Sequence, residues 1–107
     1  MSQFDLKYFP SQALRLEVEA QTGNFTAANG KLYTVSPAGA TLNVQLPAPA
    51  ANFHCIIKDL SGDMDTKTTT IVRNGVELID GIAANITLTS EYESISLFSD
   101  GTNWFRI

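Results

Sequence analysis

The side chains best suited to chemistry are few. His54 is the only histidine and Cys55 the only cysteine among 107 residues, and they are neighbours. A cysteine nucleophile needs a base within hydrogen-bond reach. Adjacent residues of a strand point to opposite faces, and Phe53-His54-Cys55-Ile56-Ile57 reads as a strand. Cys55 falls in phase with Phe53 and Ile57, so it is expected as a buried apolar thiol with His54 on the other face. No Cys-His dyad is predicted, and a single histidine excludes a metal site that needs two.

The acidic run Asp59-Leu60-Ser61-Gly62-Asp63-Met64-Asp65 offers oxygen ligands at alternating positions of a Gly-containing loop, which is what a hard cation favours. It lacks the further carboxylate that closes an EF-type loop. Asp beside Gly also ends strands by hydrogen-bonding its own backbone, and turn chemistry is the favoured reading. A glycosidase pair would have to come from Glu77, Asp80, Glu91, Glu93 and Asp100, and the spacing singles out no two of them. Asn24-Phe25-Thr26 and Asn85-Ile86-Thr87 match the glycosylation pattern, which carries meaning only behind a secretory signal. Residues 1–7 have neither a basic n-region nor an apolar h-region. With no Gly-rich phosphate loop and no CxxC pair either, the expectation is no enzyme, no cofactor and no metal.

Charge narrows the partners. The net charge is −4 and the pI about 4.7. Seven Lys and Arg scattered along the chain make no basic face for phosphates, so nucleic acid is not expected. No run of ~18 apolar residues spans a membrane. One unpaired cysteine suits synthesis in a reducing cytosol. Charged residues are 17% of the chain, below the usual quarter, which leaves more surface for burial against partners. A single domain of this size buries a modest core and has no internal disulfide to help, so oligomerisation is the obvious further source of stability.

The elements that must position these residues read as short strands with turn signals at intervals near ten residues, roughly the spacing of all-β folds. Leu14-Arg15-Leu16-Glu17-Val18-Glu19-Ala20 alternates strictly, predicting a half-buried strand with a solvated Arg15/Glu17/Glu19 face. Lys31–Val35, Thr41–Leu46 and Phe53–Asp59 follow, the last apolar enough for burial on both faces. Thr68–Arg73 and Val76–Ile79 flank Asn74-Gly75 and predict a type I′ hairpin. Asn85–Thr89 and Tyr92–Phe98 come next. Asp100-Gly101 then turns the chain into a final strand that carries Trp104, the only tryptophan. No helix is predicted: Pro47 and Pro49 spoil one Ala-rich stretch, and 82–85 is too short. The expected fold is all-β, an antiparallel β-sandwich or barrel-like module of about eight or nine short strands. Residues 1–24 stand apart from 25–107, because Phe4, Leu6, Tyr8 and Phe9 have little to pack against locally and read as an attachment arm.

Two stretches taken in order resemble small β-modules of bacteriophage virion proteins, found in tail fibres, spikes and head-surface knobs. The first is Val44-Gln45-Leu46-Pro47-Ala48 followed by Phe53 to Gly62. The second is Ile79-Asp80-Gly81, then Ser94 to Phe105 with Asp100-Gly101-Thr102-Asn103-Trp104. The similarity covers about residues 30 to 107. It implies a non-enzymatic structural module, assembled as a homotrimer around a three-fold axis and located in the virion after synthesis in the host cytoplasm.

A tail fibre must grip the tail and also present a receptor-binding tip, whereas a capsid-decorating knob needs only a docking arm and a compact head. The favoured expectation is therefore a homotrimeric capsid-surface decoration (cement or knob) protein that docks on the major capsid protein through Phe4, Leu6, Tyr8 and Phe9. The alternative is a tail fibre or tail-tip component on a tail protein, binding a receptor or host-surface glycan through an exposed aromatic. Trp104, Phe105 and Tyr92 are the aromatics to place, at a trimer axis, in the core or on the surface; Tyr33 is a further stacking candidate.

Overall fold

The computed structural model describes residues 16–107. Phe4, Leu6, Tyr8 and Phe9 therefore lie outside the described residues. Within them there are nine strands and no helix: β1 (Glu17–Gln21), β2 (Phe25–Thr26), β3 (Lys31–Val35), β4 (Thr41–Gln45), β5 (Ala51–Asp59), β6 (Thr68–Val72), β7 (Ile86–Leu88), β8 (Ser94–Asp100) and β9 (Trp104–Arg106). They form two mixed sheets, a five-stranded one in the order β1-β3-β5-β8-β9 and a four-stranded one in the order β2-β4-β6-β7.

The expected antiparallel arrangement is corrected by the pairing. β1, β3 and β5 run parallel in the larger sheet, and β2, β4 and β6 run parallel in the smaller one. Only β7, β8 and β9 pair antiparallel. Parallel neighbours need a crossover, usually a helix. Here the crossover is a strand of the opposite sheet. At each turn from β1 to β6 the chain steps across to the other sheet, and its return lies beside the strand two elements earlier. Period-2 alternation and turn residues are blind to this choice, because they fix which face a strand buries and not the direction of its neighbour.

Both sheets feed one core. Tyr33, Val35, Cys55, Ile57 and Leu97 from the larger sheet meet Leu42, Val44, Ile71 and Leu88 from the smaller, with Met64, Ile79 and Trp104 among the buried side chains. The alternation in β4 is clean, with Leu42 and Val44 buried and Thr41 and Asn43 exposed. In β5 it places Phe53, Cys55, Ile57 and Asp59 inward and His54, Ile56 and Lys58 outward. Trp104 is fully buried and meets Phe53 edge-on, ring centroids 4.9 Å apart.

β1 departs in part from expectation. Glu17, Glu19 and Gln21 are in register with Lys31, Tyr33 and Val35, yet the Glu17 and Glu19 side chains stay solvated as expected, 73% and 42% exposed; the departure is Val18, which is 65% exposed on the outer side instead of half-buried. Edge geometry makes this tolerable. At the margin the two carboxylates meet the Lys31 ammonium at 2.5 and 3.1 Å, and the Lys31 pKa is pushed up to about 12 by those hydrogen bonds. Charge on an edge strand also discourages another strand from adding there.

The predicted hairpin at Asn74-Gly75 does not form. β6 pairs instead with β7, Ile71 opposite Ile86. The Glu77 carboxylate folds back and accepts the N–H groups of Asn74 and Gly75 at 2.6 and 2.8 Å, and neither residue has positive φ. The turn with two successive positive-φ residues is at Asp80-Gly81, φ 52° and 76°, closed by reciprocal Ile79–Ile82 hydrogen bonds of 3.0 Å. In the final hairpin only Gly101 has positive φ, and the Asp100 carboxylate accepts the N–H groups of Thr102 and Asn103 at 2.9 Å. A single positive φ excludes the type I′ geometry, which needs two in succession.

Asparagine carboxamides close the loops. Asn24 accepts the N–H of Asn43, Asn29 that of His54, Asn85 that of Arg73, and Asn103 that of Leu78, all at 2.8 to 2.9 Å. Asp80 ties down the last strand, accepting the backbone N–H of Arg106 at 3.0 Å and its Nε at 2.8 Å. The Arg106 contacts hold the Asp80 carboxyl below its ordinary value of 3.8. A carboxyl with a depressed folded value stabilises the fold fully above its unfolded value, and that contribution is lost as pH falls through the folded one. Acidification below about pH 4 is therefore expected to loosen β9, seen as a red shift of Trp104 fluorescence. In Asp80→Asn this acid step should disappear; an unchanged step would show that another group controls it.

Candidate interaction surfaces

The most constrained surface residue is Tyr92. Its φ of 59° is rare for a bulky side chain, yet its ring is well exposed. The carboxylate of Asp59, buried at the end of β5, sets the conformation. It accepts the N–H of Tyr92 at 2.8 Å, and also those of Gly62 and Met64 at 3.2 and 3.3 Å. A buried carboxylate needs such donors, since an unpaired one costs several kcal/mol or more. The Tyr92 ring lies on Gly62, where a Cβ would come within 2.4 Å of Cζ. Lys58 donates from Nζ to the Tyr92 carbonyl oxygen and sits 5.9 Å from the centroid of the same ring.

Within the acidic run the Asp59 carboxylate is taken up by backbone N–H groups. Beyond the Asp59 contacts, Asp63 accepts from Ser61 Oγ at 2.5 Å, and its carbonyl accepts the N–H groups of Thr66 and Lys67. Among the described residues no group of three or more His, Cys, Asp or Glu is arranged to hold a metal ion.

The other sequence-derived candidates are dispersed. Trp104 and Tyr33 are buried, 0% and 2% exposed, so neither is available for stacking on a ligand. Phe105 lies on the outer face of the larger sheet, stacked on Phe98 at 5.3 Å. Tyr92 is in the loop before β8, away from that stack in sequence and on a different element. His54 faces outward as expected, 3.0 Å from Ser96 Oγ. Cys55 is fully buried, and desolvation pushes its thiol up to about 12.

The outer faces of the two sheets contrast. On the smaller sheet the outward positions are Thr26, Thr41, Asn43, Gln45, Thr68, Thr70, Val72 and Thr87, with Thr70 and Thr87 hydroxyls 3.2 Å apart. On the larger sheet one cross-strand row is Val18, Leu32, Ile56 and Ser96, and the next is His54, Phe98 and Phe105. Among the described residues of this face, formal charge is confined to Lys58 and Asp100, both at strand ends. Sequence reasoning missed this grouping because Val18 was assigned to the buried side, and because Phe98 and Phe105 become neighbours only through the β8–β9 pairing. No protein-family profile and no curated protein matches the chain.

Two outcomes are expected. Cys55 should resist a thiol reagent at pH 8 in the native protein and react fully after urea unfolding; rapid native labelling would contradict its central position. Gly62→Ala should destabilise by about 1–3 kcal/mol in urea titration, since it combines positive φ with the ring clash. Adding Tyr92→Ala should recover part of that loss by removing the clash; strictly additive losses would mean that the ring does not rest there in solution.

Proposed function

We propose that the protein is a non-enzymatic structural component of a phage virion, a homotrimeric capsid-surface decoration protein. What supports this, beside the resemblance over residues 30 to 107, is the outer face of the larger sheet, where exposed Val18 and Phe98 lie beside half-buried Leu32, Ile56 and Phe105, while the outer face of the smaller sheet is mostly threonine and side-chain amide. A protein built to assemble needs such a face, and isolated soluble domains rarely leave one uncovered. In this reading the sandwich-like module forms the head, and the leading segment with Phe4, Leu6, Tyr8 and Phe9 grips the major capsid protein. Aromatic anchors of this kind dominate interface energetics. Binding only the assembled shell stabilises that state by mass action.

A second reading, a tail fibre or tail-tip component that binds a host glycan, draws on Tyr92. Its exposed ring is held in a fixed pose by Asp59 and Gly62, as a stacking platform would be. Titration of Tyr92→Ala against host-surface polysaccharide separates the two readings: loss of binding relative to wild type favours the tail role.

The decisive test of the first reading is capsid occupancy. Deleting residues 2–10 should abolish binding to capsids assembled from the cognate major capsid protein while the fold and solution mass persist. Full occupancy by the truncated protein would remove the docking arm from the proposal.

A further inference from the structure

Apart from the two-residue β2, whose Phe25 packs against the core, β1 is the one described strand without a buried side chain. Glu17, Val18 and Ala20 are exposed, and Glu19 and Gln21 are half-buried. Every other strand of its sheet places a side chain fully inside: Val35 from β3, Cys55 from β5, Leu97 from β8 and Trp104 from β9. We infer that β1 is a releasable strap, which peels from β3 as far as Gln21 when the leading segment docks and so lengthens the arm. The inference rests on the capsid-docking reading and specifies how the arm reaches its partner.

What holds β1 is of a kind that water and salt replace at little cost. Its backbone pairs with β3 from Glu17 opposite Lys31 to Gln21 opposite Val35, at the margin of the sheet, where the parted groups meet solvent. Lys31 joins Glu17 and Glu19 across the pair, but exposed ion pairs add little and are screened by salt. Opening takes no side chain out of the core. Segments with so few buried contacts open locally, well below the free energy of global unfolding.

The strap has a defined end. The carbonyl oxygens of Gln21 and Thr22 accept the N–H groups of Ser36 and Ala38 at 3.0 Å. Just beyond, Asn24 accepts the Asn43 N–H at 2.8 Å, and the Phe25 ring lies 4.4 Å from that of Tyr33. The chain is therefore fixed from Gln21 onward, while Glu17 to Ala20 follow the arm. In extended form they add about 13 Å of reach to Phe4, Leu6, Tyr8 and Phe9, at ~3.3 Å per residue. β3 does not depend on β1 for its own place. It pairs with β5 along its other edge, and Tyr33 Oη accepts the Ala28 N–H at 2.8 Å.

Hydrogen exchange on the full-length protein tests the strap itself. The β1 amides should exchange about a hundredfold faster than those of β5, which open only with the core. Raising sodium chloride from about 0.05 to 0.5 M should speed β1 roughly fivefold and leave β5 unchanged, because only β1 leans on screened charge. Lys31→Gln should give the same acceleration at low salt. Equal protection of the two strands overturns the inference.

A second measurement tests release on docking. In wild-type protein bound to capsids assembled from the cognate major capsid protein, the β1 amides should lose their remaining protection while β5 keeps its own. Val18→Cys combined with Leu32→Cys places two thiols opposite each other in the register, and buried Cys55 stays silent. That variant should bind capsids about tenfold more weakly oxidised than reduced, because the shortened arm no longer spans to its site. Unchanged β1 exchange on capsids, or equal binding in the two redox states, overturns release on docking. Failure of the wild type to bind capsids at all sinks the capsid role, and exchange in the unbound protein then decides the strap alone.

Discussion

Asp59 closes the central strand of the larger sheet, and its carboxylate is taken out of water altogether. Such a group is stable only where several donors converge on it, and here the donors come from two distant parts of the chain. Gly62 and Met64 belong to the loop that leaves β5, and Tyr92 to the turn that leads into β8. One side chain thereby ties the parallel windings of β1 to β6 to the antiparallel pieces that follow. The strain of this junction, a tyrosine at positive φ resting on a glycine, is sustained by two hydrogen bonds of the Tyr92 backbone, its N–H to Asp59 and its carbonyl oxygen from Lys58.

Much of the local structure was legible in the residues. Thr41–Gln45 alternates as a strand should, Cys55 lies in phase with Phe53 and Ile57, and Asp100-Gly101 does turn the chain back. Strand direction was not legible, because nothing in an alternating pentapeptide distinguishes a neighbour that arrives by hairpin from one that arrives by way of the opposite sheet. In β1 the solvated carboxylates were legible and the exposure of Val18 was not: at an edge, Glu17 and Glu19 stay in water and meet Lys31 even though they are in register with Lys31 and Tyr33. The hairpin signature at Asn74-Gly75 lost to a local competitor, the Glu77 carboxylate, while Asp80-Gly81 adopted the geometry that Asn74-Gly75 had promised.

The surface contrast follows from the same winding. Each pass from sheet to sheet adds a strand, with its alternate outward side chains, to one face and then the other, so two surfaces of different character grow from one alternating chain. Threonine and asparagine accumulate on one, aliphatic and aromatic residues on the other. β-branched threonine holds a strand without asking for burial. A row of valine, leucine and isoleucine does ask for it. The candidate sites, by contrast, were only partly legible: Tyr92 looked like any aromatic before a strand, and nothing in the chain announced that Asp59 would fix its pose.

The loop at Asn74-Gly75 has one more property. An asparagine followed by glycine is the sequence most prone to spontaneous deamidation, in which the glycine nitrogen attacks the asparagine carboxamide and a succinimide forms. That nitrogen must first shed its proton and swing toward the side chain. Here its N–H is held by Glu77 Oε1 at 2.8 Å, and the preceding N–H by the other oxygen of the same carboxylate. The contact that abolished the hairpin also keeps the nitrogen from reacting. The protein therefore ages slowly at the bond where its sequence is chemically weakest.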